Sequence, residues 1–139
     1  MYSSEKNVQI LLSLLKAHGV KKMILSPGSA NASFVASAQY DGDFELYSSV
    51  DERSAAYIAC GLAEESKEPV VICCTGATAS RNYMPGLTEA YYRKLPIIAI
   101  TATRPIAWIG QNRDQLIDRS VIPNDIAVKS VQLPVVQNE

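Results

Sequence analysis

A chain of 139 residues is long enough for one domain with a buried core, and 47% hydrophobic against 19% charged residues suits a globular fold. A net charge of −1 provides no electrostatic footprint for nucleic acid or an anionic membrane surface. No run approaches the roughly 18 apolar residues of a membrane span, and the start Met-Tyr-Ser-Ser-Glu-Lys lacks the layout of a signal peptide, so a cytoplasmic chain is expected.

In chain order, Ser3 or Ser4 can cap a first helix that runs to about Ala17, with Val8, Leu11, Leu12 and Leu15 at helical spacing and Gly19 as the stop. Lys22–Leu25 reads as a short strand, Ser26-Pro27-Gly28-Ser29 as a tight connection, and Asn31 to Gln39 as a second helix. The turn Tyr40-Asp41-Gly42-Asp43 leads into a strand from Phe44 to Ser48. A helix then begins at Glu52 and ends at Lys67-Glu68-Pro69. On it, Ala55, Ala56, Ala59, Cys60 and Ala63 make a face of small residues, which fits a close approach to another backbone and should meet something flat and tight.

Val70–Cys74 is a continuous apolar strand of the kind covered on both faces. Thr75–Ser80 reads as a small-residue loop or first turn. Pro85 suits the first turn of a helix from about Met84 to Arg93, with room for a short helix ahead of it. Pro96–Thr101 is a fourth apolar strand, Thr103–Gly110 a loop, Arg113–Ser120 a helical turn and Val128–Leu133 a last strand, with Pro134–Glu139 as a frayed tail. Alternating strands and helices with buried strands give a three-layer α/β domain with a mainly parallel sheet. Ligands bind such sheets at the carboxyl ends of the strands, where Ser26–Ser29, Ser49–Glu52, Thr75–Thr78 and Thr101–Arg104 converge.

Each local signal has a bland reading beside a functional one. Ser26–Ser29 offers helix-start amides to an anion, or is a plain strand–helix turn, since neither a Walker lysine nor a three-glycine dinucleotide pattern is present. Ser49-x-x-Glu52 has capping-box spacing, so Glu52 is either a cap or a working acid. Cys60, Cys73 and Cys74 form no C-x-x-C pair and read as buried thiols. Cys73 and Cys74 point to opposite strand faces. His18, the lone histidine, makes a zinc site hard to assemble, and no metal ligands are assigned. Serine-nucleophile chemistry lacks its G-x-S-x-G elbow.

Read together, Ser26-Pro27-Gly28-Ser29, Asp51-Glu52-Arg53-Ser54-Ala55-Ala56, Cys74-Thr75-Gly76-Ala77-Thr78-Ala79, Asn82-Tyr83-Met84-Pro85, Glu89-Ala90-Tyr91 and Thr101-Ala102-Thr103-Arg104-Pro105 form an ordered set. From about Ile10 to Ser120 the chain closely resembles the N-terminal pyrimidine-binding (Pyr) domain of thiamine diphosphate-dependent enzymes. Within that superfamily it is most similar to the menaquinone-pathway synthases, which act on isochorismate and 2-oxoglutarate. The resemblance implies the thiamine diphosphate-binding fold and a catalytic glutamate, matched by Glu52, that bonds the pyrimidine ring and handles its proton. It implies that Pro27, Thr75, Gly76 and Thr78 lie near the ring, that Ser29, Arg104 and Gln115 face substrate carboxylates, and that the small face of the Glu52 helix pairs with a partner domain.

Two positions depart from the pattern of that subfamily. Ala30 stands where an arginine is usual, which removes a bidentate carboxylate clamp, and Gly76-Ala77-Thr78 replaces Ser-Gly-Thr. The Gly-Asp-Gly…Asn segment that holds magnesium and the diphosphate does not occur in the chain. The expectation is therefore a Pyr domain over residues 1–139 that needs a diphosphate-binding domain from the same or another subunit. That implies a likeness to homodimeric 2-oxo acid decarboxylases and carboligases, and an isolated chain without activity. The rival expectation is a non-catalytic binding or assembly domain that keeps the fold; a generic nucleotide-binding module is weakened by the missing phosphate signature.

Overall fold

The protein is described by a computed structural model covering residues 2–113, 115–119, 121–134 and 136. The elements are α1 (Lys6–Ala17), β1 (Lys22–Leu25), α2 (Ala32–Asp41), β2 (Glu45–Ser48), α3 (Glu52–Ser66), β3 (Val70–Cys74), α4 (Ala77–Asn82), α5 (Met84–Arg93) and β4 (Ile97–Thr101). Single 3-10 turns precede α2 at Ser29–Asn31 and follow β4 at Ile106–Trp108. The strands pair in parallel in the order β2-β1-β3-β4, with Leu25 opposite both Ser48 and Cys73.

Side-chain alternation along the two central strands builds a core on each side of the sheet. Met23, Leu25, Val71 and Cys73 point to one face and pack with Leu12 and Leu15 of α1 and Phe34 and Val35 of α2. Ile24, Val70, Ile72 and Cys74 point to the other and pack with Ala55, Ala59 and Ala63 of α3, Ala79 of α4 and Tyr83. The sheet is thus the middle of three layers, as the alternating pattern predicts. Cys73 and Cys74 part to opposite faces, and all three cysteines are free and buried. Burial raises their thiol pKa values, Cys73 to about 12 and Cys74 to about 11, which keeps them protonated and poorly nucleophilic at neutral pH. α1 and α2 each close on a glycine with positive φ, Gly19 at +70° and Gly42 at +76°, a conformation that a Cβ would strain.

Several expectations are corrected. The small face of α3 does not wait for a partner domain: Ala55, Ala56, Ala59, Cys60 and Ala63 are all buried inside this one. The close approach they permit is made to α5. A Cβ built on Gly86 would sit 2.5 Å from the Cβ of Ala56, and the Cys60 thiol donates to the Gly86 carbonyl at 3.4 Å. The large apolar residues that α3 leaves exposed are Tyr57 and Ile58. Burial on both faces is complete only for β3; the edge strands β2 and β4 are partly exposed, with Ile98 at 36%.

The expected strand over Val128–Leu133 is absent. Its β-branched residues supply propensity, but no neighbouring edge pairs with them. The segment instead spans from the α5 layer, where the Tyr92 hydroxyl meets Asp125 at 3.4 Å, to α1. There Asn7 donates to the Pro134 carbonyl at 3.0 Å and accepts from the Val136 N–H at 3.1 Å. The expected helical turn over Arg113–Ser120 shows no helix in its described residues, and 114 and 120 lie outside them, as do 135 and 137–139 of the tail. Of the two readings of Thr75–Ser80, loop or first turn, the second holds: helix α4 occupies Ala77–Asn82, the short helix for which there was room ahead of Met84. The N-cap position of α1 is Glu5, without a side-chain cap bond; Ser3 accepts from the Glu5 N–H at 3.1 Å instead. Among the described residues no helix is long and apolar enough to cross a membrane.

Candidate functional site

The strand order fixes where a ligand can sit. From β1 the chain moves outward to β2 through α2 on one face. It then crosses back to β3 through α3 on the other. The connections therefore diverge between the carboxyl ends of β1 and β3, the crevice that open α/β sheets use for ligands. Ser26-Pro27-Gly28-Ser29 leaves β1 there and Thr75-Gly76 leaves β3. The two loops touch: a Cβ on Gly28 would meet the Thr75 Cγ2 at 2.5 Å. Asn31 braces the first loop, accepting from the Gly28 N–H at 2.8 Å and donating to the Ser26 carbonyl at 3.1 Å. We predict that Gly28→Ala destabilises the fold by about 1 kcal/mol, because only one side-chain methyl must yield. Thr75→Ser, which removes that methyl, should restore the urea midpoint of the double variant.

The cap of α3 belongs to the residue before Glu52. Asp51 is the N-cap: its Oδ2 accepts from the Ser54 N–H at 2.9 Å and from the Ser54 hydroxyl at 2.6 Å. Ser49, the expected box partner, donates its hydroxyl to the Asp51 carbonyl instead, at 2.9 Å. Glu52 is released from helix-end duty. Its carboxylate, partly buried, turns across to α4, where Oε2 accepts from the Asn82 Nδ2 at 3.0 Å. The Ser54 hydroxyl, and after it the Ser54 N–H, hold the Asp51 carboxyl below its ordinary value of 3.8. A lowered folded-state pKa means stabilisation that is complete above the ordinary value and lost as pH falls through the folded one. Asp51→Asn keeps a capping oxygen without the charge. The gap in thermal midpoint between it and the parent is expected at pH 7 and should close as pH falls through the lowered folded-state value of the Asp51 carboxyl.

Beyond β3, Thr75, Gly76 and Thr78 follow one another into α4. Gln115, distant in sequence, joins them: its Oε1 accepts from the Thr78 hydroxyl at 2.8 Å, and its carbonyl accepts from the Ala77 N–H at 3.3 Å. Of the residues singled out from sequence, the fold thus brings Thr75, Gly76, Thr78 and Gln115 into one contact group, with Gly28 packed against Thr75. Ser29 opens the 3-10 turn after β1, and Arg104 lies three residues past β4; both are exposed on the same sheet edge as Pro27. In the same loop the Arg113 guanidinium lies 4.6 Å over the Trp108 ring.

Polar atoms without hydrogen-bond partners gather at this edge. The Ser26 Oγ, at the switch point, and the Tyr83 Oη, beside the Cys74 thiol, are buried and unpartnered among the described residues. Burial, and next the adjacent Cys74 thiol, push the Tyr83 phenol far up, and the Glu52 charge adds to this. The Arg119 Nε and Nη2 are likewise buried without partners, and burial holds its pKa below the ordinary arginine value. Buried donors and acceptors left unpaired are costly, and they concentrate where a structure meets water or ligand. Asn82, Tyr83 and Arg119 were not foreseen as site residues from the sequence. The run Asn82-Tyr83-Met84-Pro85 carried a signal, but not what its asparagine faces. Among the described residues, no group of three or more His, Cys, Asp and Glu side chains could hold a metal ion.

Comparison with known proteins places these features in context. Residues 6–122 match the family described as thiamine pyrophosphate enzyme, N-terminal TPP binding domain. The 2-succinyl-5-enolpyruvyl-6-hydroxy-3-cyclohexene-1-carboxylate synthase of Bacteroides thetaiotaomicron is 44% identical over 139 residues, all of this chain and 25% of that protein. The synthase of the same name from Porphyromonas gingivalis is 45% identical over 116 residues, 84% of this chain and 20% of that one. The chain therefore spans about a quarter of the length of such relatives. Among solved structures, benzoylformate decarboxylase from Polynucleobacter necessarius has 25% identity and a TM-score of 0.69 over 81% of this chain and 21% of its own. The thiamine diphosphate-dependent 4-hydroxybenzoylformate decarboxylase of Rhodococcus jostii RHA1, at 22% identity and a TM-score of 0.73 over 81% of this chain and 21% of its own, shares the fold.

Proposed function

Because this chain belongs to the thiamine pyrophosphate enzyme family, as its N-terminal TPP binding domain, we propose that residues 1–139 form the pyrimidine-binding half of a thiamine diphosphate site, with Glu52 as the acid that activates the cofactor. The whole enzyme is a 2-oxo acid decarboxylase or carboligase. The observation that carries this reading is the release of Glu52: Asp51 takes the cap, and the Glu52 carboxylate is held by Asn82 instead of by its own helix end.

The residues fit the heteroaromatic half of the cofactor. A carboxylate can accept from an exocyclic amine or exchange a proton with a ring nitrogen. The Gly28–Thr75 contact brings two loops close enough to wall a flat ring, and the unpartnered Ser26 Oγ and Tyr83 Oη offer polar partners at the same edge. When bound, the cofactor supplies the electron sink for decarboxylation. Pro27, Thr75, Gly76 and Thr78 bound the ring, and Glu52 moves the proton at its free oxygen. Ser29, Arg104 and Gln115 orient a substrate carboxylate, with Gln115 fixed by its bond to Thr78. Ala30 contributes no guanidinium fork to that task, so Arg104 carries the charge.

Magnesium and the diphosphate are held by a diphosphate-binding domain from the same or another subunit, in a homodimer. The exposed Tyr57 and Ile58 of α3, rather than its small face, are the surface of that helix left for such a neighbour. The product class in the names of the 44–45% identical relatives, a cyclohexene carboxylate, is the narrower form of the proposal. The isolated chain is inactive. Turnover of the complete enzyme with Glu52→Gln tests the reading: loss with an unchanged circular dichroism spectrum supports it, and retained turnover overturns it.

A further inference from the structure

The bond between Asn82 and Glu52 has no role in holding the fold that the packing around it does not already fill. Asn82 is the last residue of α4, and its neighbour Tyr83 is 1% exposed within the core that also contains Ala55, Ala56 and Ala59 of α3. The closing turn of α4 is therefore fixed against α3 by a buried ring and by Ala79, whatever the Asn82 side chain does. Yet the Asn82 amide reaches 30 residues back along the sequence to one oxygen, the Glu52 Oε2, at 3.0 Å. A glutamate in the first turn of a helix has three torsions to explore and can fold back on its own N-terminal amides. Asp51 closes that option by occupying the Ser54 N–H, and Asn82 selects among the rest.

We infer that Asn82 is a positioning residue for Glu52: its neutral amide occupies one carboxylate oxygen and thereby turns the other toward the carboxyl edge of the sheet. The chemistry of the donor supports this role. A lysine or arginine here would form an ion pair and stabilise the charged carboxylate, discouraging it from taking a proton. An amide orients the group without an opposing charge. Its base is rigid, since Pro85 stands in the first turn of α5 three residues on and Tyr83 is locked, so the direction of the donor is set before any ligand arrives.

This inference rests on the reading of Glu52 as the cofactor-activating acid, and three measurements separate the two. In the complete enzyme, Asn82→Ala should slow deuterium exchange at the thiazolium carbon of bound thiamine diphosphate by about 10- to 100-fold. Cofactor affinity should stay within about threefold, because a tilt of one side chain misplaces a proton without removing a binding wall. Asn82→Gln, which keeps the donor on a longer arm, should recover part of the exchange rate, and Asn82→Asp, which puts a second carboxylate against Glu52, should recover none. In the cofactor-free enzyme, Glu52→Ala should move the side-chain amide signals of Asn82 in a nitrogen-15 spectrum and leave those of Asn7 in place. Unchanged exchange in Asn82→Ala, affinity lost in proportion to exchange, or an Asn82 signal indifferent to Glu52→Ala would each overturn the inference. Full exchange in Glu52→Gln overturns instead the reading beneath it.

Discussion

Replacing Glu52 with glutamine is expected to lower turnover of the complete enzyme by about 10²- to 10⁴-fold, the range that a positioned proton-transfer group supplies. The fold should be untouched, for a geometric reason. The glutamine carbonyl oxygen can still accept from the Asn82 Nδ2 at the position now held by the Glu52 Oε2, and the α3 cap belongs to Asp51. What the amide cannot do is gain and lose a proton. The variant therefore separates chemistry from architecture. A thermal midpoint within a degree or two of the parent, with cofactor affinity reduced only modestly, is the expected companion result. Turnover within about threefold of the parent would show that another group moves the proton.

The second large effect lies 34 residues away in sequence, at Gly86, and it concerns stability. Carbon atoms in ordinary contact sit about 3.5–4.0 Å apart. A Cβ at Gly86 would lie 2.5 Å from the Ala56 Cβ, with the Ala56 carbonyl carbon at 3.1 Å and its Cα at 3.3 Å. Two of those three atoms are helix backbone and cannot rotate away. Gly86→Ala gains about 1 kcal/mol of helix propensity and loses about 1–3 kcal/mol to overpacking, so a net loss is expected. Gly86→Leu should cost about 3 kcal/mol or more, since it forces α5 off α3. Ala56→Gly opens the matching space. The double variant with Gly86→Ala should be more stable than the sum of the single losses implies, and urea denaturation of all four proteins in the cycle measures the coupling. Additive losses would mean that the helices yield elsewhere. Because α3 carries Glu52 at its head and α5 follows Asn82, the same wedge should also disturb the site.

Much of this architecture was legible in the chain. The continuous apolar run at Val70–Cys74 requires cover on both faces, as do the apolar residues of the short strand Lys22–Leu25, and the helices between them have nowhere to pack but on those faces. The positions of β1–β4 and of α1, α2, α3 and α5 follow from that. The convergence of Ser26–Ser29 and Thr75–Thr78 on one edge follows from parallel pairing alone. The residues that resembled a known family also placed a glutamate at the head of α3.

Other features were beyond local reading. Ser49-x-x-Glu52 has the spacing of a capping box, and spacing does not reveal that Asp51, one residue nearer, wins the Ser54 amide. The small face of α3 predicts a close approach to some backbone without naming it. Gly86 of α5, 30 residues beyond Ala56, supplied that backbone, and so the face was never available to a partner domain. The β-branched run at Val128–Leu133 has the propensity of a strand, but a ladder needs an edge in register, and none pairs with it.

The sequence by itself determined the α/β layering, the family and the presence of a glutamate where the third helix begins, because these depend on hydrophobic periodicity and residue types along the chain. Only the tertiary structure decided what the acid is free to do. Whether Glu52 caps its helix or faces across the crevice depends on two competitors for short-range hydrogen bonds. Asp51 outcompetes it for the helix end, and Asn82 claims it from 30 residues away. That competition is settled by distances of about 3 Å in space, which no spacing along the sequence encodes.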